Sequence, residues 1–348
     1  MKLKVRRNLM LNNRMTFENL CMRNESLANH SSYQIGGNAN FFAMPETAEE
    51  LLTLLQGCRK HGLDYFICGM GSNLLFPDNP RQDTLYISLK KFVSWDIEPS
   101  KWFISSGTPM SMLAISGLMF GIAGYEFTYL LPGGLGAGIY MNAKYNHHQI
   151  SDIIKTVYYV DLSDPSLSVH SLDVSECKYG YKQSIFQMNP WLVLGADMLA
   201  VPDEKQIAAG NELLARWKAK EGMSTLASFY SYMDEEAAKL TKQGLVIPQD
   251  MSDIANYRNG KRHFEYPSCG SVFKNNYDYG VPVGALVDRL NMKGKEHGGA
   301  MISPYHGNMI INHRHATAED VKYLMNTIIE GVNNAFGFEP EPEVVVVK

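Results

Sequence analysis

The chain has 348 residues, 45% hydrophobic and 20% charged, with a formal net charge of −4. This balance excludes a disordered chain, implies about two or three globular domains, and gives no reason to expect nucleic acid or an anionic membrane as partner. Five scattered cysteines without a C-x-x-C pair argue for reduced thiols and against a disulfide or zinc framework.

The start, "MKLKVRRNLMLNNRM", is basic but has no apolar signal-peptide core, and no apolar run of membrane-spanning length follows. A cytoplasmic protein with a mobile extension over residues 1–26 is expected. Residues 39–45 read as a strand. Thr47 and Glu50 make a capping box for a helix with Leu51, Leu52, Leu55 and Cys58 on one face and Gly62 as its stop. Asp64–Cys68 returns as a strand, closing a small β-α-β unit.

That strand runs into Gly69-Met70-Gly71-Ser72-Asn73. A dinucleotide fingerprint begins this way, but it needs a third glycine where Leu74 stands and a helix where Pro77-Asp78-Asn79-Pro80 forbids one. What survives is a turn able to nest an anion, or simply a tight strand-to-loop turn. Further on, Thr108-Pro109 opens a helix that Gly121 ends. The glycine-dense "LLPGGLGAGIYMNA" and β-rich sequence around 156–162 and 191–199 follow. A helix with Ile207, Leu213, Leu214 and Trp217 spans 203–220, and residues 222–262 read as a polar, partly helical insertion. The strongest helix is 317–336, capped by Thr317 with Asp320 at the box position. Its apolar stripe is Val321, Leu324, Met325, Ile328, Ile329, Val332 and Phe336, and Gly337 terminates it before "PEVVVV" closes the chain as a strand.

Three polar residues stand out. Ser271, after a glycine and before an apolar strand, is either a proton donor or a turn serine. Lys182, amid aromatics, is either a pocket cation or a snorkelling surface lysine. Glu343 precedes the valine run, at the mouth of what reads as a buried strand, where a carboxylate needs a partner. His147-His148 does not suggest a metal, because neighbours on a strand point to opposite faces.

Taken together and in order, these pieces resemble the UDP-N-acetylenolpyruvoylglucosamine reductase family, the flavoenzymes that complete UDP-N-acetylmuramate for bacterial cell walls. The matching motifs are "SSYQIGGNANFFAMPETAEEL", "GMGSNLLF", "GYEFTYLLPGGLGAGIYMNA", "CKYGYKQSIF", "YPSCGSVFKN", "MKGKEHGGAMISPYHGNMIIN", the 317–336 helix and "EPEV". The passage from the strand near Leu199 directly into the next helix resembles the family's second, shorter type.

The resemblance implies an α+β fold: a two-lobed FAD-binding domain of the vanillyl-alcohol-oxidase and cell-wall-reductase type, followed by a substrate domain. Lobe 1 falls on 27–92, lobe 2 on 93–202, and the substrate domain on 203–348, with its last strand returning to the active site. It implies non-covalent FAD held by Ile35, Gly36, Gly37, Gly69, Met70, Gly71, Ser72, Asn73 and Leu74 from lobe 1, and by Pro132, Gly133, Gly136, Asn142 and Ile153 from lobe 2. NADPH serves as co-substrate, and a sugar-nucleotide enolpyruvyl ether contacts Tyr181, Lys274 and Asn275. Ser271 is then the proton donor, Glu343 the acidic partner, and Lys182 stands where the family carries arginine. No metal, nucleic acid or membrane partner is implied, and a monomer is favoured.

Lysine for arginine is not conservative at a bidentate carboxylate site. "MNAKYNHH" also replaces a small, glycine-containing run, and Pro132-Gly133-Gly134 lacks the common hydroxyl residue. A paralogous flavin oxidoreductase with another substrate, or a silent flavin or sugar-nucleotide binder, are the alternatives.

Overall fold

The structure, a computed structural model, describes residues 16–98, 101–120, 122–199 and 249–348. The expected helix at 203–220 and the first part of the expected insertion lie outside the described residues, as does Gly121. The chain divides into two units. One comprises Met1–Phe92, Ser271–Ser303 and Gly307–Lys348, and the other Val93–Gly270 and Pro304–His306.

In the first unit the Ala48–His61 helix forms where its cap and period require, and Gly62 ends it in the left-handed region at φ 64. Two details differ from expectation. The Thr47 hydroxyl accepts from the Glu50 N–H at 3.2 Å. The Glu50 carboxylate, however, reaches one residue further back, to the Glu46 N–H at 2.7 Å, so only half of the box closes on Thr47. Leu54, not Leu52, joins Leu51, Leu55 and Cys58 on the buried face.

Phe41–Ala43 and Asp64–Cys68 are parallel, but a strand not anticipated from the sequence, Thr84–Ser88, lies between them. It is buried at every position, so it lacks the alternation that marks a half-exposed strand. Residues 16–26, expected in a mobile extension, fold onto this unit. Phe17 packs over Gly57, and Met22 bridges Phe42.

After the glycine loop the chain makes the two-residue strand Leu74–Leu75 and no helix, as the prolines dictate. Val345–Val346 pairs with it in parallel. That strand is shorter and more exposed than the valine run suggested. Val344 and Val347 bury, whereas Val345 and Val346 are 43% and 39% exposed. The Ala318–Phe336 helix shows the full reciprocal capping box between Thr317 and Asp320. Val321, Leu324, Met325, Ile328 and Val332 are buried, while Ile329 and Phe336 sit half-buried at the margin of the stripe.

The second unit is built on five antiparallel strands in the order Val169–Asp173, Ile154–Asp161, Trp191–Met198, Lys101–Ser105 and Trp95–Glu98. The helices Met110–Phe120 and Leu135–Met141 share one core with this sheet through residues such as Leu113, Leu135, Ile139, Val157 and Ala196. Pro109 falls just ahead of the first helical residue, bridged to Gly134, and not inside the helix. His147 lies in the turn between the strands Lys144–Tyr145 and His148–Gln149, so the two histidines do not share a strand.

Candidate active site

In the first unit three segments remote in sequence converge. Residues 271–275 run antiparallel to residues 341–344. Phe273 bridges Pro342, the Lys274 N–H donates to the Glu341 carbonyl at 2.9 Å, and the Glu343 N–H donates to the Val272 carbonyl at 2.7 Å. The glycine loop closes on the same strand. Asn73 Nδ2 donates to the Glu343 carbonyl at 2.9 Å, and the Val345 N–H donates to the Asn73 carbonyl at 3.0 Å. Ser271, Glu343, Lys274, Asn275 and the 69–74 loop are therefore neighbours although some 270 positions separate the ends of the set.

Within this set Ser271 is exposed and Glu343 half-buried. Lys274 Nζ is paired with Glu341 at 2.5 Å. Asn275 Oδ1 accepts from the Val283 N–H at 3.2 Å, which leaves its amide N–H₂ turned to other work. Among the described residues the backbone N–H groups of Met70, Ser72 and Asn73 have no acceptor. A loop with orphaned donors at its tip is a ready anion cradle. Gly71 sits there at φ +68, and a Cβ on it would lie 1.9 Å from the His30 carbonyl oxygen. The glycine is thus demanded by the protein's own packing before any ligand arrives. The same holds for Gly37, whose Cβ would meet the Asp78 carbonyl at 1.9 Å. Ile35 is buried and Gly36 half-buried, both in the stretch just after the Ser32–Tyr33 turn.

The second unit gathers the remaining expected residues. Pro132 is exposed and Gly133, at φ 108, leads toward the seven-residue helix Leu135–Met141. The Leu135 and Gly136 N–H groups are already bonded, to the Thr108 and Ser106 carbonyls at 2.8 Å each. The Ser106 hydroxyl beside Gly136 is buried and has no partner among the described residues. Ile153 is buried. Asn142, expected to face the cofactor, spends its side chain internally. Its Nδ2 donates to the Gly180 carbonyl at 3.0 Å and to Gln149 Oε1 at 3.1 Å, and its Oδ1 accepts from the Ser151 N–H at 3.3 Å. It thereby anchors the next turn. Gly180 and Gln183 pair across a two-residue turn whose central residues are Tyr181 and Lys182, with Lys182 at φ 55. Such a position favours glycine or asparagine, so a lysine there is held under local strain.

Sequence reasoning passed over Asn308, 96% buried, whose Oδ1 accepts from the Phe273 N–H at 3.0 Å and whose Nδ2 donates to the Phe273 carbonyl at 2.8 Å. It fixes the segment that carries Ser271, which forms an isolated bridge at Phe273 and not the strand expected after the serine. Its motif was in view, but nothing in one sequence says which asparagine reaches across. Arg258 was also missed. It is buried, its Nε has no partner among the described residues, and burial lowers its basicity. The described residues hold no cluster of three or more metal-ligating side chains, and no helix among them is long and apolar enough to cross a membrane.

The class is settled by the fold: α+β, of the type seen in a UDP-N-acetylenolpyruvylglucosamine reductase. A solved structure of UDP-N-acetylenolpyruvylglucosamine reductase from Thermus caldophilus superposes with a TM-score of 0.67 at 23% identity, covering 94% of this chain and 99% of that one. Residues 262–347 match the family model described as UDP-N-acetylenolpyruvoylglucosamine reductase, C-terminal domain. The chain is 29% identical over 324 residues to the UDP-N-acetylenolpyruvoylglucosamine reductase of Caldanaerobacter subterraneus subsp. tengcongensis, covering 93% of this chain and 92% of that one. It is 28% identical over 337 residues to that of Borreliella burgdorferi, covering 97% and 98%. Along nearly its whole length, then, the chain is similar to UDP-N-acetylenolpyruvoylglucosamine reductases, and its residues 262–347 match the model of that family's C-terminal domain.

Proposed function

We propose that the chain binds FAD non-covalently and uses NADPH to reduce UDP-N-acetylglucosamine enolpyruvate to UDP-N-acetylmuramate. The observation that carries this reading is the meeting of the 271–275 segment, Glu343 and the 69–73 loop in one unit. The orphaned N–H groups of Met70, Ser72 and Asn73 suit a pyrophosphate. Bound FAD supplies the hydride.

The chain's own residues then manage charge and proton. Hydride addition to the vinyl group builds negative charge toward the substrate carboxylate, which a cation and an acid must offset. Lys182 supplies the cation and Glu343 the acid, and the Ser271 hydroxyl gives its proton to the carbon that must be quenched. Lys274 exchanges Glu341 for the sugar nucleotide, and the Asn275 amide donates to it.

The test is a half-reaction pair with Ser271→Ala. Reduction by NADPH should stay near the parent rate, and anaerobic reoxidation by the enolpyruvyl sugar nucleotide should slow by about 10²–10⁴-fold. Equal slowing of both would assign Ser271 to folding or cofactor placement. The strained Lys182 favours one second reading, a paralogue whose substrate lacks the bidentate carboxylate contact.

A further inference from the structure

Behind the glycine loop three ionisable side chains form a line that the proposed chemistry does not use. Lys90 Nζ lies 2.6 Å from His30 Nδ1, and His30 Nε2 lies 2.8 Å from Glu25 Oε1. His30 is 7% exposed and stacks on Phe42, with ring centroids 4.0 Å apart. We propose that Glu25, His30 and Lys90 act as one hydrogen-bonded relay that holds the 69–73 loop in place, and that a proton on His30 loosens the loop's grip on a bound pyrophosphate. The ligand part of this rests on the FAD reading above.

The connection to the loop is direct at both ends. The His30 carbonyl abuts Gly71, and the Ser32 N–H donates to the Gly71 carbonyl at 3.1 Å. On the other side Ser88, two residues before Lys90, donates from its hydroxyl to the Gly69 carbonyl at 2.8 Å. Lys90 therefore ties the segment that backs Gly71 to the turn that holds Gly69. Movement of the His30 ring pulls on the loop from behind.

The bonding pattern fixes the proton. A lysine ammonium only donates, so His30 Nδ1 must accept, and Nε2–H then donates to the Glu25 carboxylate. A second proton on the ring would set Nδ1–H against the Lys90 ammonium at hydrogen-bond distance, and one of the two must leave. The groups facing the relay are Glu25 and Lys90 on either side of the ring, with Cys68 and Lys91 near the Lys90 head. Burial holds the His30 ring below the ordinary histidine value, with Lys90 adding to the effect and Glu25 opposing it. A group so depressed contributes fully above its unfolded value, and its contribution is lost as pH falls through the folded one.

The experiment measures FAD affinity of the full chain by flavin fluorescence from about pH 8 down to about pH 4.5, because ordinary histidine titrates near pH 6.5 and His30 is held below that. The Gly71 backbone amide is followed by NMR over the same range without flavin. Affinity of the parent should fall about tenfold toward acid, equivalent to about 1.4 kcal/mol. The flavin pyrophosphate is a diester and keeps its charge, so the step belongs to the protein. His30→Asn keeps an acceptor for Lys90 but takes no proton, and its affinity should be flat with pH. Lys90→Met, which preserves the stem's packing, should be flat at the parent's weak acid value. A flat parent, or an acid step that survives in His30→Asn, overturns the relay. If no flavin binds at any pH, the FAD reading fails by itself. The relay then stands if the Gly71 amide titrates in the parent and not in His30→Asn, and falls if it does not.

Discussion

Replacing Asn308 with leucine tests whether the segment bearing Ser271 is held from behind. The side chain bonds Phe273 twice, accepting from its N–H and donating to its carbonyl. Phe273 is 1% exposed, so leucine leaves two backbone groups buried without partners. Each such group costs about 1–3 kcal/mol, and the pair costs about 2–6 kcal/mol against a total stability of about 5–15 kcal/mol. Leucine has similar volume, so no large cavity adds to the sum. Urea unfolding with an unchanged m-value measures the loss. Below the new midpoint, reoxidation by substrate should also slow more than reduction by NADPH. An aspartate control sharpens the sign. Asn308→Asp faces the Phe273 carbonyl with an acceptor, which raises its folded pKa above the unfolded value of about 3.9. Its stability is then recovered toward and below about pH 4, and lost as pH rises through the folded pKa. A loss under about 1 kcal/mol for Asn308→Leu, with both half-reactions at parent rates, would refute the argument.

Other outcomes can be checked in parallel. Gly71→Ala should lower the melting temperature of the flavin-free protein, because its Cβ would collide with the His30 carbonyl; a normal melting temperature with lost flavin would instead place the glycine's role at the ligand. Lys182→Met should cut substrate-dependent reoxidation by a factor worth about 3–4 kcal/mol while Lys182→Arg stays near the parent, and parent-like turnover in Lys182→Met would remove this residue from the site. Thr317→Ala should cost about 1 kcal/mol in urea unfolding, since its hydroxyl accepts from the Asp320 N–H at 3.1 Å. Burial alone would raise the Asp320 pKa, but hydrogen bonds from Thr317 and Gly299 bring it below the ordinary carboxylate value. Its contribution is therefore present above the unfolded value and lost as pH falls through the folded one, and Asp320→Asn should flatten that part of the acid limb.

The helices with caps and stops were legible because their signals are local. Thr47 with Gly62, and Thr317 with Asp320 and Gly337, each fix an end through bonds made within a few residues. The failure of the dinucleotide fingerprint was legible for the same reason, since proline forbids the helix whatever surrounds it. The order of motifs also carried the family resemblance and the catalytic candidates Ser271 and Glu343. What the sequence could not supply was anything made by long-range pairing. Thr84–Ser88 is buried on both faces and inserts between two strands that read as neighbours. Asn142 finds its internal partner only when the fold brings Gly180 to it. Asn308 gains its role only when it meets Phe273, and His30 only when Lys90 arrives from 60 positions away. A polar side chain's partner is a property of the folded surface around it, and one sequence records the donor without its acceptor.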